Sequence, residues 1–226
     1  MSPRQAIPLI TAAVLSFLFQ VHAGAMTLQE AVEQAGPEQG YDKFVRLETG
    51  LVYTGGLQVG PSFSVIHGGL VGAPGYDIRI EGSGAVLDLR GGQLCVSYCP
   101  NRLDLEDCVI INGNVRFRGI NTADTVAIPT GSVRHVTFYA PHDYGIRLQG
   151  AGREILLEDN LVVSALDTGF DFVYTHGMSN PWLPTGINVA FSVQAGFYGT
   201  PVVRRNWSFH EDPDRNADPL NHFGML

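Results

Sequence analysis

The stretch LEDCVIING at 105–113 returns as LEDNLVVSA at 157–165. The echo is not isolated. Val133-Arg134-His135-Val136-Thr137-Phe138-Tyr139 fits between the two copies, and Val203-Arg204-Arg205-Asn206-Trp207-Ser208-Phe209 fits beyond them. Going backwards, Ile78-Arg79-Ile80-Glu81-Gly82-Ser83 matches Leu103-Asp104-Leu105-Glu106-Asp107-Cys108. Units that recur every 22–28 residues, with insertions, constrain the chain to an architecture of stacked, similar pieces.

Each unit has internal order. In the 103–118 unit, Leu103-x-Leu105, Val109 to Ile111 and Val115-x-Phe117 are short apolar segments separated by turn residues. The 155–172 unit repeats the plan with Ile155-x-Leu157, Leu161 to Val163 and Phe170-x-Phe172. Segments of three to five residues with period-two alternation are strands. Three strands per unit predict an all-β chain folded as a single-stranded right-handed parallel β-helix, a solenoid of about 23 residues per coil. Thr27 and Glu30 stand at capping-box spacing ahead of apolar Leu28, Ala31, Val32 and Ala35, which predicts a short N-terminal capping α-helix over 27–36. The expected organisation is a signal segment at 1–25, then one domain over 26–226, with coils at 41–210 and a polar tail at 211–226.

Thr27-Leu28-Gln29-Glu30-Ala31-Val32, then Val45-Arg46-Leu47, Thr49 to Gly56, and Ile80 to Leu89 together resemble the opening of pectin-lyase-fold proteins. The resemblance runs from about 27 to 210. It implies a pectate-lyase-like parallel β-helix. It leaves function open, because lyases, hydrolases, epimerases, esterases and non-catalytic surface proteins share that fold.

Residues 1–25 carry Arg4, an apolar stretch from Ala6 to Phe19 and small residues near Ala23 and Ala25. That pattern predicts a cleaved secretory signal and an extracellular or periplasmic protein. Past residue 25 the chain has 13 basic and 22 acidic residues, a net charge of −9. Such a balance argues against nucleic acid and anionic membranes as partners. A monomer is expected, and an anionic partner must be met by a local basic patch. Cys95, Cys99 and Cys108 cannot all pair within one chain.

The alternation puts Leu94/Val96, Val115/Phe117, Ile146/Leu148 and Phe170/Phe172 inside, and Cys95, Arg116, Arg147 and Asp171 outside. Long insertions follow this third strand at 119–131 and 173–188. The expected groove therefore has Arg116, Arg147, Asp171 and His176 as catalytic candidates. Arg118, Asp124, Tyr174 and Trp182 are the substrate-binding candidates. The family resemblance implies chemistry for them: lyases of that fold bind a sugar carboxylate with cations, often Ca2+, and abstract the C5 proton with Lys or Arg. The only lysine, Lys43, lies far from these positions in the chain, so an arginine would have to act as base. A hydrolase would instead need paired carboxylates, for which Asp167 and Asp171 are available. Asp212, Asp214 and Asn216 alternate as calcium-loop ligands do, but Ala217 stands where such a loop needs Gly. The expected function is a secreted polysaccharide-active protein, either a β-eliminating lyase on an acidic glycan or a non-catalytic glycan-binding or surface module. A truncated family member lacking its active-site coils is a third possibility.

Overall fold

The computed structural model describes residues 26–64, 69–71, 75–121, 126–151, 154–166, 168–173, 189–193 and 201–212. Among the described residues one helix, α1 (Leu28–Gln34), precedes twenty strands. The first ten are β1 (Lys43–Arg46), β2 (Val52–Thr54), β3 (Leu57–Val59), β4 (Ser62–Ser64), β5 (Gly69–Val71), β6 (Ile78–Asp88), β7 (Gln93–Ser97), β8 (Arg102–Ile111), β9 (Asn114–Arg118) and β10 (Ile120–Asn121). The rest are β11 (Val126–Ala127), β12 (Thr130–Arg134), β13 (Thr137–Tyr139), β14 (Tyr144–Gln149), β15 (Ile155–Glu158), β16 (Leu161–Val163), β17 (Thr168–Val173), β18 (Val189–Val193), β19 (Val202–Arg204) and β20 (Trp207–Phe209).

Helix α1 begins with the capping box that its sequence predicts. The Glu30 N–H donates to Thr27 Oγ1 at 3.1 Å, and the Thr27 N–H donates to Glu30 Oε2 at 2.9 Å. Leu28 and Val32, one turn apart, bury themselves against the strands.

Two parallel sheets carry the fold. The larger has ten strands, β1, β2, β6, β8, β12, β13, β15, β16, β19 and β20; the smaller runs β18-β17-β14-β9-β7-β3. The pairs β4–β5 and β10–β11 are separate antiparallel ribbons. The expectation of a single-stranded β-helix is corrected here: these are two parallel sheets, not the uniform solenoid that the periodicity predicts. Chain steps between paired residues are uneven, from Ile78↔Leu103 and Gly131↔Ile155 to the much longer Lys43↔Ile78 and Leu156↔Val202. Strands β6 and β8, 11 and 10 residues long, each run through what the sequence divides into two strands. The physical reason lies in the corners. Ser83 (φ 48°) and Asp107 (φ 56°) are left-handed residues that bend the strand without ending it.

The core lies between the sheets' inward rows. Ile80, Leu105, Val133 and Leu157 form one row, and Val96, Phe117 and Leu148 another, all fully buried. Gly131 (φ 139°) sits against β8, where a Cβ would fall on the Leu103 carbonyl oxygen. All three cysteines are free and buried. Burial raises each thiol's pKa, and Cys108 is pushed up to about 12.

Buried asparagines hold the late corners. Asn160 and Asn206 are both completely buried. Asn160 Nδ2 donates to the Val133 carbonyl at 2.8 Å and to Asn206 Oδ1 at 2.8 Å, while its Oδ1 accepts the Val136 N–H at 3.1 Å. Asn206 Nδ2 donates to the Leu157 carbonyl at 2.9 Å. These side chains satisfy backbone groups that the bends take out of the ladder.

Asn160→Ala strands two such groups in a buried interior, the Val133 carbonyl and the Val136 N–H, so unfolding in urea should show a loss on the order of 3 kcal/mol. The thiols set a pH dependence. Their folded pKa values lie above the unfolded ones, so the stability they contribute is complete below about pH 8.5 and is lost as pH rises beyond it. Denaturant midpoints should fall on the alkaline side, and less steeply in Cys108→Ala.

Candidate arginine face

Alternation along β7, β9, β14 and β17 turns one residue in two away from the core. In-register pairing then lines up those outward residues across strands. One row reads Gln58, Cys95, Arg116 and Arg147, and the backbones of Asp171 and Ser192 continue its register. The row two positions on reads Ser97, Arg118, Gln149, Val173. Neighbouring strands lie ~4.8 Å apart, so the backbones of Arg116 and Asp171 are separated by ~10 Å across β14.

The guanidiniums on this face are sunk into the sheet. Arg147 lies over the Tyr144 ring, 3.8 Å from its centroid, and Arg118 lies over Tyr98 at 4.8 Å. An Arg116 terminal nitrogen donates to Gln149 Oε1. Among the described residues the Nε atoms of Arg116 and Arg118 are buried and have no hydrogen-bond partner, as is true of Arg134 Nε on the other sheet. Burial holds the Arg116 guanidinium below the usual arginine pKa, and the positive charges of Arg118 and Arg147 act in the same direction. Tyr144, only 1 % exposed, has its phenol pushed up by burial. Beneath them Cys95 is 6 % exposed, and its thiol pKa is raised by burial against the opposing pull of Arg116 and Arg118.

The ten-stranded sheet supplies a contrast. Arg79 and Arg134 share Glu106 at 2.9 and 2.5 Å, Arg102 pairs with Asp104 at 2.5 Å, and Arg205 pairs with Asp159 at 2.6 Å. A cleft of about 380 Å³ there is lined by Arg79, Arg102, Asp104, Ser132, Arg134 and Glu154, but these three guanidiniums are already engaged by carboxylates. On the six-stranded sheet Arg116 and Arg118 have no carboxylate partner among the described residues. Among the described residues these are two partly buried cations without a carboxylate counterion, in a chain of net charge −8.

Of the expected site residues, Arg116, Arg118 and Arg147 share this face, and Asp171 is in register beside Arg147. Asp124, Tyr174, His176 and Trp182 lie outside the described residues. Of the expected metal ligands, Asp212 is exposed, its N–H donating to His210 Nδ1 at 3.0 Å, and Asp214 and Asn216 lie outside the described residues. Sequence reasoning passed over Tyr98 and Tyr144 as platforms for the arginines. The available signal was an aromatic three residues ahead of Arg147.

Scans against protein-family models, curated proteins and solved structures each return no match. The resemblance to pectin-lyase-fold proteins therefore rests on the quoted residues alone. Among the described residues no helix is long and apolar enough to cross a membrane.

Carrying an unpaired buried charge costs stability that a neutral side chain of similar length would restore. Arg116→Met should therefore raise the urea midpoint, by an amount on the order of 1 kcal/mol, while weakening any anion that the face holds.

Proposed function

We propose that this protein binds an acidic polysaccharide along the outer face of the six-stranded sheet. One observation carries the reading: Arg116, Arg118 and Arg147 are neighbours on one face, and the first two have buried Nε donors without a partner among the described residues. A uronate carboxylate supplies two acceptor oxygens in the plane that a guanidinium fork matches. Successive sugars along a flat sheet meet successive strands, so a polymer gains from several modest contacts. The reading places the protein outside the cell as a monomer, consistent with residues 1–25, and away from nucleic acid, consistent with its negative charge.

The lowered pKa of Arg116 favours a second reading, β-elimination. With the carboxylate neutralised by Arg147 and Arg118, Arg116 in its neutral form would take the C5 proton. The electrons of that C–H bond would form the C4–C5 double bond as the C4–oxygen bond breaks, and the departing oxygen would be protonated.

Titration calorimetry with polygalacturonate, alginate and a glycosaminoglycan tests the first reading. Binding should weaken with salt. Losing a charged hydrogen bond of ~1.5 kcal/mol, Arg118→Ala should weaken it about tenfold. Arg118→Lys, which keeps the charge but not the fork, should fall between. Affinity that is indifferent to both substitutions overturns the assignment. Incubation of the same polymers tests elimination: an unsaturated, ultraviolet-absorbing product should form and disappear in Arg116→Met. A folded, binding protein without that product leaves the non-catalytic reading.

A further inference from the structure

The corner between the two halves of the ten-stranded sheet stacks Asp107, His135 and Asp159 on successive strands, all in left-handed conformation (φ 56°, 53° and 55°). His135 is held between two carboxylates. Its Nδ1 lies 3.2 Å from Asp107 Oδ1, and its Nε2 lies 3.3 Å from Asp159 Oδ2. A neutral imidazole has one N–H and one lone pair, so it can donate to only one of them. Asp159 is the fitting acceptor, because Arg205 pins both its oxygens at 2.6 Å. Donation from Nε2 leaves the Nδ1 lone pair facing a carboxylate oxygen. A cation held between the two atoms removes that opposition, as a second ring proton would.

Glu106 stands at the same place. It gives one oxygen to Arg79 and Arg134, and a ligand atom of Glu106, one of Asp107 and one of His135 all lie within 4.8 Å of one another. At Zn–N and Zn–O bonds of ~2.0–2.1 Å, tetrahedral ligand atoms are ~3.3 Å apart, so the 3.2 Å Nδ1–Oδ1 separation is already an edge of that polyhedron. Beside it opens a cavity of about 480 Å³ lined by Ser83, Gly84, Asp107, Cys108, His135 and Thr137, among others, which gives a fourth position to water or substrate.

We propose that Glu106, Asp107 and His135 bind a first-row divalent cation of the Zn2+ class, with Asp159 and Arg205 as positioning residues. An imidazole that ligates a metal through one nitrogen and donates to a carboxylate through the other is the arrangement by which such sites orient their histidines. This site is separate from the arginine face and does not depend on the function proposed for it.

The test is titration calorimetry of the tag-free full chain with ZnCl2, at a pH about two units above the ordinary histidine pKa of ~6.5, where an unbound imidazole is neutral. One Zn2+ per chain should bind. His135→Asn, which tolerates the left-handed corner, should abolish binding, and Asp159→Asn should weaken it ~10–100-fold. If His135→Asn does not fold, Glu106→Gln, which keeps shape and loses a charged ligand, must weaken binding instead. Nitrogen-15 spectra of His135 give a second readout: metal at Nδ1 with a proton on Nε2. Absence of Zn2+ binding overturns the proposal. So does binding that survives His135→Asn or Glu106→Gln, or a His135 ring that carries both protons with Zn2+ in excess.

Discussion

In-register parallel pairing governs this molecule. A strand turns alternate residues to opposite sides, and pairing in register makes every residue share a row with its counterparts on neighbouring strands. Whatever chemistry one strand turns outward is thus repeated or opposed about 4.8 Å away. The inward rows become continuous apolar surfaces, of which Val96, Phe117 and Leu148 are one stretch. The outward rows become lines of charge. Core and candidate sites are two faces of the same constraint.

The corners are where that constraint costs most. A left-handed residue at Asp107, His135, Asp159 or Arg205 turns the chain and removes backbone groups from the ladder. Asn160 and Asn206 return partners to those groups from inside, each bonding to the next, so the two corners are locked as one unit. Where Cys108 occupies the analogous place beside Ala85, the interior is apolar, and its thiol is neutral over the physiological range.

Two outer faces built by the same rule differ in electrostatics. On the ten-stranded sheet, rows of Glu and Arg neutralise one another, with Glu106 shared between Arg79 and Arg134. Exposed pairs of this kind contribute little individually. On the six-stranded sheet the neighbours of Arg116 and Arg118 are arginine, glutamine, tyrosine and cysteine. Partial burial there concentrates positive potential where dielectric screening is weak. Among the described residues, charge is cancelled by carboxylates on the first face and not at Arg116 and Arg118 on the second.

Much of this was legible in the chain. Alternation identified which residues face inward, because that depends only on the period of a strand. Thr27 and Glu30 marked the helix start, because a capping box is local. Alternation within the third strand of each unit put Arg116 and Arg147 at matching positions, and the parallel register pairs them. The assembly was not legible. Whether a bend ends a strand or passes through it depends on φ at single residues such as Ser83 and Asp107, so the uniform solenoid read from the period became two sheets with long strands through the corners. The pairing of Glu106 with two arginines, the burial of Nε in Arg116, and the two carboxylates around His135 were likewise decided by tertiary structure. Each is a distance between side chains far apart in sequence. Period and composition determine which residues face outward, and only packing determines how far apart their ends come to rest.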